Sequence, residues 1–183
     1  MRRTPGLSRK KLKICALGEG MVGKTSLIRR YVADKFEGDY TRTVGTLLSK
    51  KTLKLEEPGG HSVKVDAVIW DIMGQKGFVD LLKGAYFKEA NGVFAVCDVT
   101  RRDTLEALHG WLFKVKSAAG NVPSVIMANK SDLLDRSQVR KKDLMKMSET
   151  YGSPYLLTSA KTGSNVPRAF ESLVRAVLQR GKS

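Results

Sequence analysis

Short apolar runs and stretches of helical spacing alternate along most of the chain, and this pattern predicts its secondary structure. Continuous or alternating apolar positions bounded by charged residues are typical of strands. The predicted strands are residues 11–17, 47–56, 61–71, 92–98, 122–128 and 155–158. Apolar residues three and four positions apart are typical of helices. The predicted helices are residues 26–32, 103–119, 139–151 and 165–179.

Turn and capping residues mark where several of these elements begin and end. The Glu-Pro-Gly-Gly sequence at residues 57–60 predicts a hairpin, which makes the second and third strands antiparallel. Asp103 and Glu106 have the spacing of a capping box, and Gly120 and Gly152 follow the ends of two helices. The other strands alternate with helices, so we expect a mostly parallel sheet covered on both faces.

The composition is that of one soluble globular domain. The chain has 183 residues, of which 42% are hydrophobic and 28% charged, and this length can bury a sizeable core. No run approaches the ~18 apolar residues of a membrane span and no signal sequence follows Arg2 and Arg3, so we expect a cytoplasmic protein. Cys15 and Cys97 lie in apolar runs and are expected to be buried free thiols.

The charge is strongly positive, and much of it lies at the start of the chain. The formal net charge is +15, and residues 1–13 hold six basic residues and no acid. Residues 1–10 offer little apolar surface and are predicted to form a disordered basic arm ahead of a domain at residues 11–183. This balance favours an anionic partner. We expect this basic N-terminal arm to make weak electrostatic contact with anionic membranes, whereas the absence of an RNA-binding motif disfavours nucleic acid.

One stretch fits the phosphate-binding pattern G-x-x-x-x-G-K-[ST] and stands between a predicted strand and a predicted helix, as that motif requires. Its glycines allow the backbone to approach a phosphate closely, and its N–H groups and the helix N-terminus attract anions. Lys24 can reach the β- and γ-phosphates of a nucleotide, and the Thr25 hydroxyl can bind Mg²⁺. The predicted phosphate-binding residues are Gly18, Glu19, Gly20, Met21, Val22, Gly23, Lys24, Thr25 and Ser26.

Three further polar groups stand at the ends of predicted strands and narrow the choice of base and reaction. Asp71 ends the third strand and is followed by Gly74 and Gln75. The sequence Asn-Lys-Ser-Asp at residues 129–132 ends the fifth strand, and Thr-Ser-Ala-Lys at residues 158–161 ends the last. A carboxylate in the position of Asp71 can hold Mg²⁺, usually through water.

Read together, these motifs resemble the small GTPases of the Ras superfamily over residues 11–180. The sequence Thr-Val-Gly at residues 43–45 is similar to the Rab branch, and residues 70–82 with 98–101 resemble the fungal septation-initiation GTPases. The resemblance implies a P-loop α/β fold with a six-stranded, mostly parallel sheet, one antiparallel edge strand and about five flanking helices. It also implies a switch that binds GTP and GDP with Mg²⁺ and hydrolyses GTP slowly.

The resemblance assigns the recognition of guanine to the last two polar groups. Asp132 would accept hydrogen bonds from the N1–H and N2–H groups of guanine, and adenine would be penalised because it lacks that donor pair. The stem of Lys130 would cover the base, and the Ala160 N–H would face its O6 atom. The other base-side residues implied are Asn129, Ser159 and Lys161.

The loop after the first helix supplies the rest of the implied nucleotide contacts. Phe36 would stack on the guanine, and Tyr40 would cover the phosphates. Thr43 would bind Mg²⁺ through its hydroxyl and the γ-phosphate through its N–H. The implied metal set is therefore Thr25, Thr43 and Asp71.

Hydrolysis in this family depends on positioning and charge stabilisation rather than covalent chemistry. Gln75 would orient the attacking water, Lys24 would offset charge on the leaving oxygens, and Thr43 would complete the catalytic set. Thr43 and Gly74 would hold their loops on the γ-phosphate, so hydrolysis would release them. Residues 36–46 and 72–84 are the surfaces expected to meet effectors, an activating protein and an exchange factor.

Two departures from the family pattern leave alternatives open. Ile72 and Met73 replace small residues beside Gln75. They could form a partner surface or pack beneath the loop, and a GTP-binding adaptor with little hydrolysis is the alternative function. The last five residues contain no cysteine and residue 2 is Arg, so we expect no lipid anchor in this chain.

Overall fold

A computed structural model of the chain describes residues 8–36, 45–56, 62–72 and 86–181. Its elements in chain order are β1 (Ser8–Leu17), α1 (Lys24–Ala33), β2 (Thr46–Glu56), β3 (Ser62–Ile72), β4 (Gly92–Asp98), α2 (Arg102–Glu106), α3 (Leu108–Ala119), β5 (Ser124–Asn129), a 3-10 helix (Ser131–Arg136), α4 (Lys141–Tyr151), β6 (Tyr155–Leu157) and α5 (Val166–Arg180). The predicted arm before residue 8, the hairpin turn at residues 57–60 and Met73 lie outside the described residues.

The strands form one sheet in the order β2-β3-β1-β4-β5-β6. Strand β2 is antiparallel to β3, and every other neighbouring pair is parallel. This confirms the predicted six-stranded, mostly parallel sheet with one antiparallel edge strand. Because β1, β3, β4, β5 and β6 run the same way, their carboxyl ends lie along one edge, where the predicted polar groups are found.

A separate apolar core lies on each face of the sheet. On one face, Phe170 of α5 stacks on Tyr31 of α1 with ring centroids 3.8 Å apart, and Phe94 of β4 lies 4.4 Å from Phe170. The other core packs α3 and α4 against the sheet and contains both cysteines. Burial raises the pKa of Cys15 and of Cys97 to about 12, so both are the buried free thiols that the sequence predicts.

Strand β1 begins earlier than predicted, at Ser8, so the prediction that residues 8–10 belong to a disordered arm is wrong. Ser8 pairs with Val63, and the parallel register continues through Lys10 opposite Val65. Arg9 donates from Nε to Asp66 Oδ2 at 2.5 Å. The basic start of β1 is therefore ordered by long-range pairing with β3, which local composition does not reveal.

The predicted capping box at residues 103–106 is wrong, because the helix begins one residue earlier and Asp103 lies inside its first turn. The hydroxyl near the start of this helix belongs to the buried Thr104, whose Oγ1 donates to the Arg101 carbonyl at 2.7 Å. The predicted helix at residues 103–119 is divided into α2 and α3 at Ala107. The predicted glycine ends are correct: Gly120 follows α3, and Gly152 follows α4 with a φ of 59°.

Other element boundaries differ by only a few residues from the predicted ones. Strand β5 begins at Ser124 rather than residue 122, and the intervening Pro123 has no N–H to contribute to a strand. Ile72 is fully buried at the end of β3, which agrees with packing rather than with an exposed partner surface. Among the described residues, no helix combines the length and apolar character that crossing a membrane requires.

Candidate nucleotide site

The loop between β1 and α1 has a backbone that only glycine accommodates at two positions. Gly18 has a φ of 136°, and a Cβ atom there would lie 2.2 Å from the Val96 carbonyl oxygen. Gly23 has a φ of 96°, and a Cβ atom there would lie 2.4 Å from Nδ2 of Asn129. Both values of φ are in the region that favours glycine. The predicted phosphate loop thus packs closely against β4 and the end of β5.

Lys24 is a buried cation at the start of α1 whose ammonium crosses the loop. Its Nζ donates to the Gly18 carbonyl at 2.8 Å and to the Glu19 carbonyl at 2.9 Å. Burial lowers the pKa of Lys24 to about 8, against the opposing attraction of the Asp71 and Glu19 carboxylates. The positive charge of Lys24, which these carboxylates offset only in part, attracts an anion such as a phosphate group, as do the N–H groups of the loop.

Thr25 and Asp71 meet at the carboxyl end of β3 and present oxygen ligands beside the phosphate loop. The Thr25 hydroxyl donates to Oδ2 of Asp71, which is 2% exposed. The other oxygen, Oδ1, is buried and has no hydrogen-bond partner among the described residues. Burial raises the pKa of Asp71, although the Thr25 hydroxyl and Lys24 oppose the rise. A buried carboxylate oxygen without a donor, next to a hydroxyl, fits a hard cation such as Mg²⁺.

Asn129 joins the two halves of the site. Its Nδ2 donates to the Val22 carbonyl of the phosphate loop at 2.9 Å, and its Oδ1 accepts from the Ala160 N–H at 3.2 Å. Asp132 stands beside this link, where its Oδ1 accepts from the Ser159 hydroxyl at 2.5 Å. The predicted groups at residues 129–132 and 158–161 are therefore brought together and connected to the phosphate loop.

Lys130 is held by a buried carboxylate that the sequence analysis did not assign to the site. Lys130 has a φ of 65°, and its Nζ lies 2.6 Å from Oδ2 of Asp98, which is 1% exposed. Burial raises the pKa of Asp98, but hydrogen bonds from Lys130 and Thr100 outweigh it, so the net pKa lies below its ordinary value. Asp98 is the last residue of β4, and Asp71 lies one residue before the end of β3. This similar placement of two acids at strand ends is the signal that could have identified Asp98.

Three other residues of the site were also missed. Arg30 of α1 donates to the Ala160 carbonyl at 2.9 Å and to the Lys161 carbonyl at 2.8 Å. Trp111 of α3 donates from Nε1 to Glu19 Oε1 at 3.1 Å, and Arg101 donates to the Gly20 carbonyl at 2.9 Å. These contacts join positions far apart in the chain, and no local motif marks them.

Several of the predicted site residues are not tested by this geometry. Phe36 is 39% exposed and follows α1, and Ser26 is half-buried in the first turn of α1. Tyr40, Thr43, Gly74 and Gln75 lie outside the described residues. The predicted catalytic and γ-phosphate contacts of those four residues remain predictions.

The sheet order, the glycine-dependent loop and the lysine at the start of α1 define a P-loop nucleotide-binding protein. Comparison with known proteins gives the family. The family model described as Ras family matches residues 13–179. Ras-related protein Rab-27B of Rattus norvegicus is 33% identical over 176 residues, covering 92% of this chain and 80% of the relative. Ras-related protein Rab-13 of Canis lupus familiaris is 32% identical over 167 residues, covering 91% and 79%.

The chain therefore belongs to the Ras family of small GTPases and is Rab-like. It is a GTP-binding molecular switch with GTPase activity, as the sequence analysis predicted.

Proposed function

We propose that the chain reads guanine through Asp132 and couples GTP hydrolysis to the order of its loops at residues 36–46 and 72–84. The observation that supports this most directly is the pair of hydrogen bonds made by Asn129, to Val22 at 2.9 Å and to Ala160 at 3.2 Å. They join the phosphate loop to the segment at residues 158–161, where the Ser159 hydroxyl contacts the Asp132 carboxylate. In the proposed complex a guanine nucleotide spans these two parts of the site.

On the base side of the site, the Asp132 carboxylate is available to accept hydrogen bonds. Asp132 is exposed, and its Oδ1 is oriented by the Ser159 hydroxyl. In the proposed complex the carboxylate accepts from N1–H and N2–H of guanine, while the stem of Lys130, tethered at Asp98, covers the base. Adenine leaves the carboxylate without its donors, and an unpaired polar group in a binding site costs about 1–3 kcal/mol.

On the phosphate side, Thr25 and Asp71 would hold Mg²⁺, and Thr43 is the proposed third protein ligand. A bound Mg²⁺ neutralises charge on the β- and γ-phosphates during phosphoryl transfer. The chain itself supplies the N–H groups of the phosphate loop and the Lys24 ammonium, which lies 2.8 Å from the Gly18 carbonyl. In the proposed complex the Lys24 ammonium stabilises negative charge on the phosphates.

Hydrolysis by the isolated protein is expected to be slow, with Gln75 orienting the attacking water. Gln75→Leu should slow activator-stimulated GTP hydrolysis while leaving GTP affinity nearly unchanged, because the glutamine acts on the water rather than on the bound ground state. The measurement is single-turnover hydrolysis with lysate as the source of activator. Gln179→Leu, an exposed change in α5, is the matched control. Equal stimulated rates for Gln75→Leu and the parent protein would remove Gln75 from the mechanism.

Protein partners are proposed to bind at residues 36–46 and 72–84. Two large apolar side chains at the edges of the first segment, Phe36 and Leu47, are 39% and 43% exposed. Exposed apolar side chains beside a nucleotide site are typical of a protein-binding surface. Effectors, an activating protein and an exchange factor are the partner classes proposed for this surface.

Weak binding to an anionic membrane is proposed for the basic face of the β2-β3-β1 half of the sheet. Alternate residues of a strand share a face, and the register places side chains of the three strands side by side. The cations on this basic face are Arg9, Lys11, Lys13, Lys50, Lys54 and Lys64. Its two acids are already engaged, Asp66 by Arg9 and Glu56 by Lys54.

The test is flotation with phosphatidylserine vesicles at low and high salt. Each basic residue near an anionic leaflet contributes about 1 kcal/mol, and this fades over a Debye length of about 8 Å. Changing Lys11 and Lys50 together to Glu should abolish low-salt binding. The same charge change at Lys141 and Lys142, on α4, should leave most of it. If the two double variants bind equally, the basic face is not the contact.

A further inference from the structure

The phosphate loop contains a residue with a left-handed backbone that is not glycine. Met21 has a φ of 66°, and its side chain is 55% exposed. Residues other than glycine rarely adopt a positive φ. The backbone strain of that conformation persists only where the surrounding structure determines it. Because its side chain is largely in solvent, packing of the methionine does not supply that constraint. The constraint must act on the backbone around Met21.

The carbonyl groups on both sides of Met21 are held by long-range hydrogen bonds. Nη2 of Arg101 donates to the Gly20 carbonyl at 2.9 Å, and Nδ2 of Asn129 donates to the Val22 carbonyl at 2.9 Å. A trans peptide is planar, so its N–H points opposite to its C=O. Holding the Gly20 carbonyl on the side of Arg101 therefore directs the Met21 N–H away from Arg101.

Arg101 is itself held by a buried carboxylate, Asp98. Its Nε lies 3.4 Å from Oδ2 of Asp98, and the Lys130 ammonium lies 2.6 Å from the same oxygen. The Arg101 N–H also donates to the Asp98 carbonyl at 3.0 Å. Asp98 thus connects the cation beside the phosphate loop with the lysine on the base side.

We propose that Arg101 is a positioning residue for nucleotide phosphates, which holds the peptide between Gly20 and Met21 with its N–H directed into the phosphate loop. The proposal rests on the loop binding nucleotide, and it is independent of the roles proposed for Asp132 and Gln75. The guanidinium suits this task because its planar array of donors can reach the Gly20 carbonyl and the Asp98 carboxylate at once. Arg101 does not contact the reacting atoms and acts through the loop backbone.

The neighbouring arginine provides a matched control. Arg102 has the same side chain on the same segment, but its partners are Glu106 at 2.8 Å and Asp143 at 3.1 Å, away from the phosphate loop. The measurement is the dissociation rate of a fluorescent GDP from the Mg²⁺-loaded protein. Arg101→Ala should release GDP roughly tenfold faster or more, the scale of losing a hydrogen bond from a charged donor, while Arg102→Ala keeps the parental rate.

Arg101→Lys separates the loop contact from folding and from charge. A lysine keeps the charge but cannot hold both partners in one plane, so it should release GDP at a rate between those of Arg101→Ala and the parent. It also serves in place of Arg101→Ala if that variant does not fold. Parental GDP release from both Arg101 variants, or equally accelerated release from Arg102→Ala, would overturn the proposal.

A double-mutant cycle with Met21→Gly tests the proposed route through the backbone. Glycine adopts a positive φ without strain, so Arg101→Ala should accelerate GDP release less in a Met21→Gly background than in the parent. Equal acceleration in both backgrounds would show that Arg101 does not act through Met21 and would overturn the mechanism. The ratio of guanine to xanthine nucleotide affinity should be unchanged in every Arg101 variant. That ratio reports on Asp132, so failure of the base assignment is distinguishable from failure of this proposal.

Discussion

Asp132→Asn is expected to weaken GTP binding by at least about 2 kcal/mol and to improve binding of xanthosine triphosphate. The change removes the charge that is proposed to accept from two guanine N–H groups, and it replaces one acceptor with a donor. Xanthine carries a carbonyl where guanine carries the N2 amino group, so it suits the new donor. Competition between the two nucleotides for the purified variant measures both effects.

Asp135→Asn is the control for this result. Asp135 is an exposed acid in the same 3-10 helix, and its partner is Arg136 at 3.8 Å rather than a residue of the site. It should bind GTP as the parent does. If Asp132→Asn also keeps the parental preference for GTP over xanthosine triphosphate, the base pocket has been assigned to the wrong residue.

Gly23→Ala is expected to lower GDP affinity on the order of a hundredfold or more, because two costs add. A Cβ atom at this position would lie 2.4 Å from Nδ2 of Asn129, and the φ of 96° disfavours any side chain. Displacing Asn129 also breaks its bonds to the Val22 carbonyl and the Ala160 N–H. Equilibrium titration with a fluorescent GDP measures the loss.

Gly152→Ala separates the clash from the backbone strain. Gly152 has a φ of 59°, but a Cβ atom there would have nothing within 4 Å, and the residue lies at the end of α4. This variant should lose stability by about 1 kcal/mol, the cost of a side chain in the left-handed region, and keep its GDP affinity. Parental affinity in Gly23→Ala would mean that the close packing of Asn129 on the loop is not needed for binding.

The parts of the site that could be predicted from the sequence are those in which neighbouring residues carry the chemistry. Lys24 and Thr25 follow the glycines of the loop directly, and Asp132 stands two positions after Lys130. The sheet could also be predicted, since β4 is fully buried and its residues 92–97 form a continuous apolar run. These residues stay close together because the strand, the loop and the helix follow one another directly in the chain.

The remaining contacts depend on where the fold places distant segments. Arg101 reaches a carbonyl 81 positions away, and the Trp111 indole reaches Glu19 from 92 positions away. The early start of β1 likewise depends on pairing with β3, because Ser8, Arg9 and Lys10 include no apolar residue that would predict a strand. The division between α2 and α3 at Ala107 is marked by neither glycine nor proline. Such features depend on contacts between segments that are far apart in the chain, and no local sequence pattern marks those contacts.

The nucleotide that copurifies with the protein is the most direct test of the proposal that the site is specific for guanine. The chain, purified in buffer containing Mg²⁺ and no added nucleotide, is denatured, and the released nucleotides are separated by ion-exchange chromatography. A guanine-specific site with slow intrinsic hydrolysis predicts GDP, with some GTP, at close to equimolar amounts. Adenine nucleotide in its place, or a folded protein that carries no nucleotide and gains none on incubation with GDP, would contradict the account.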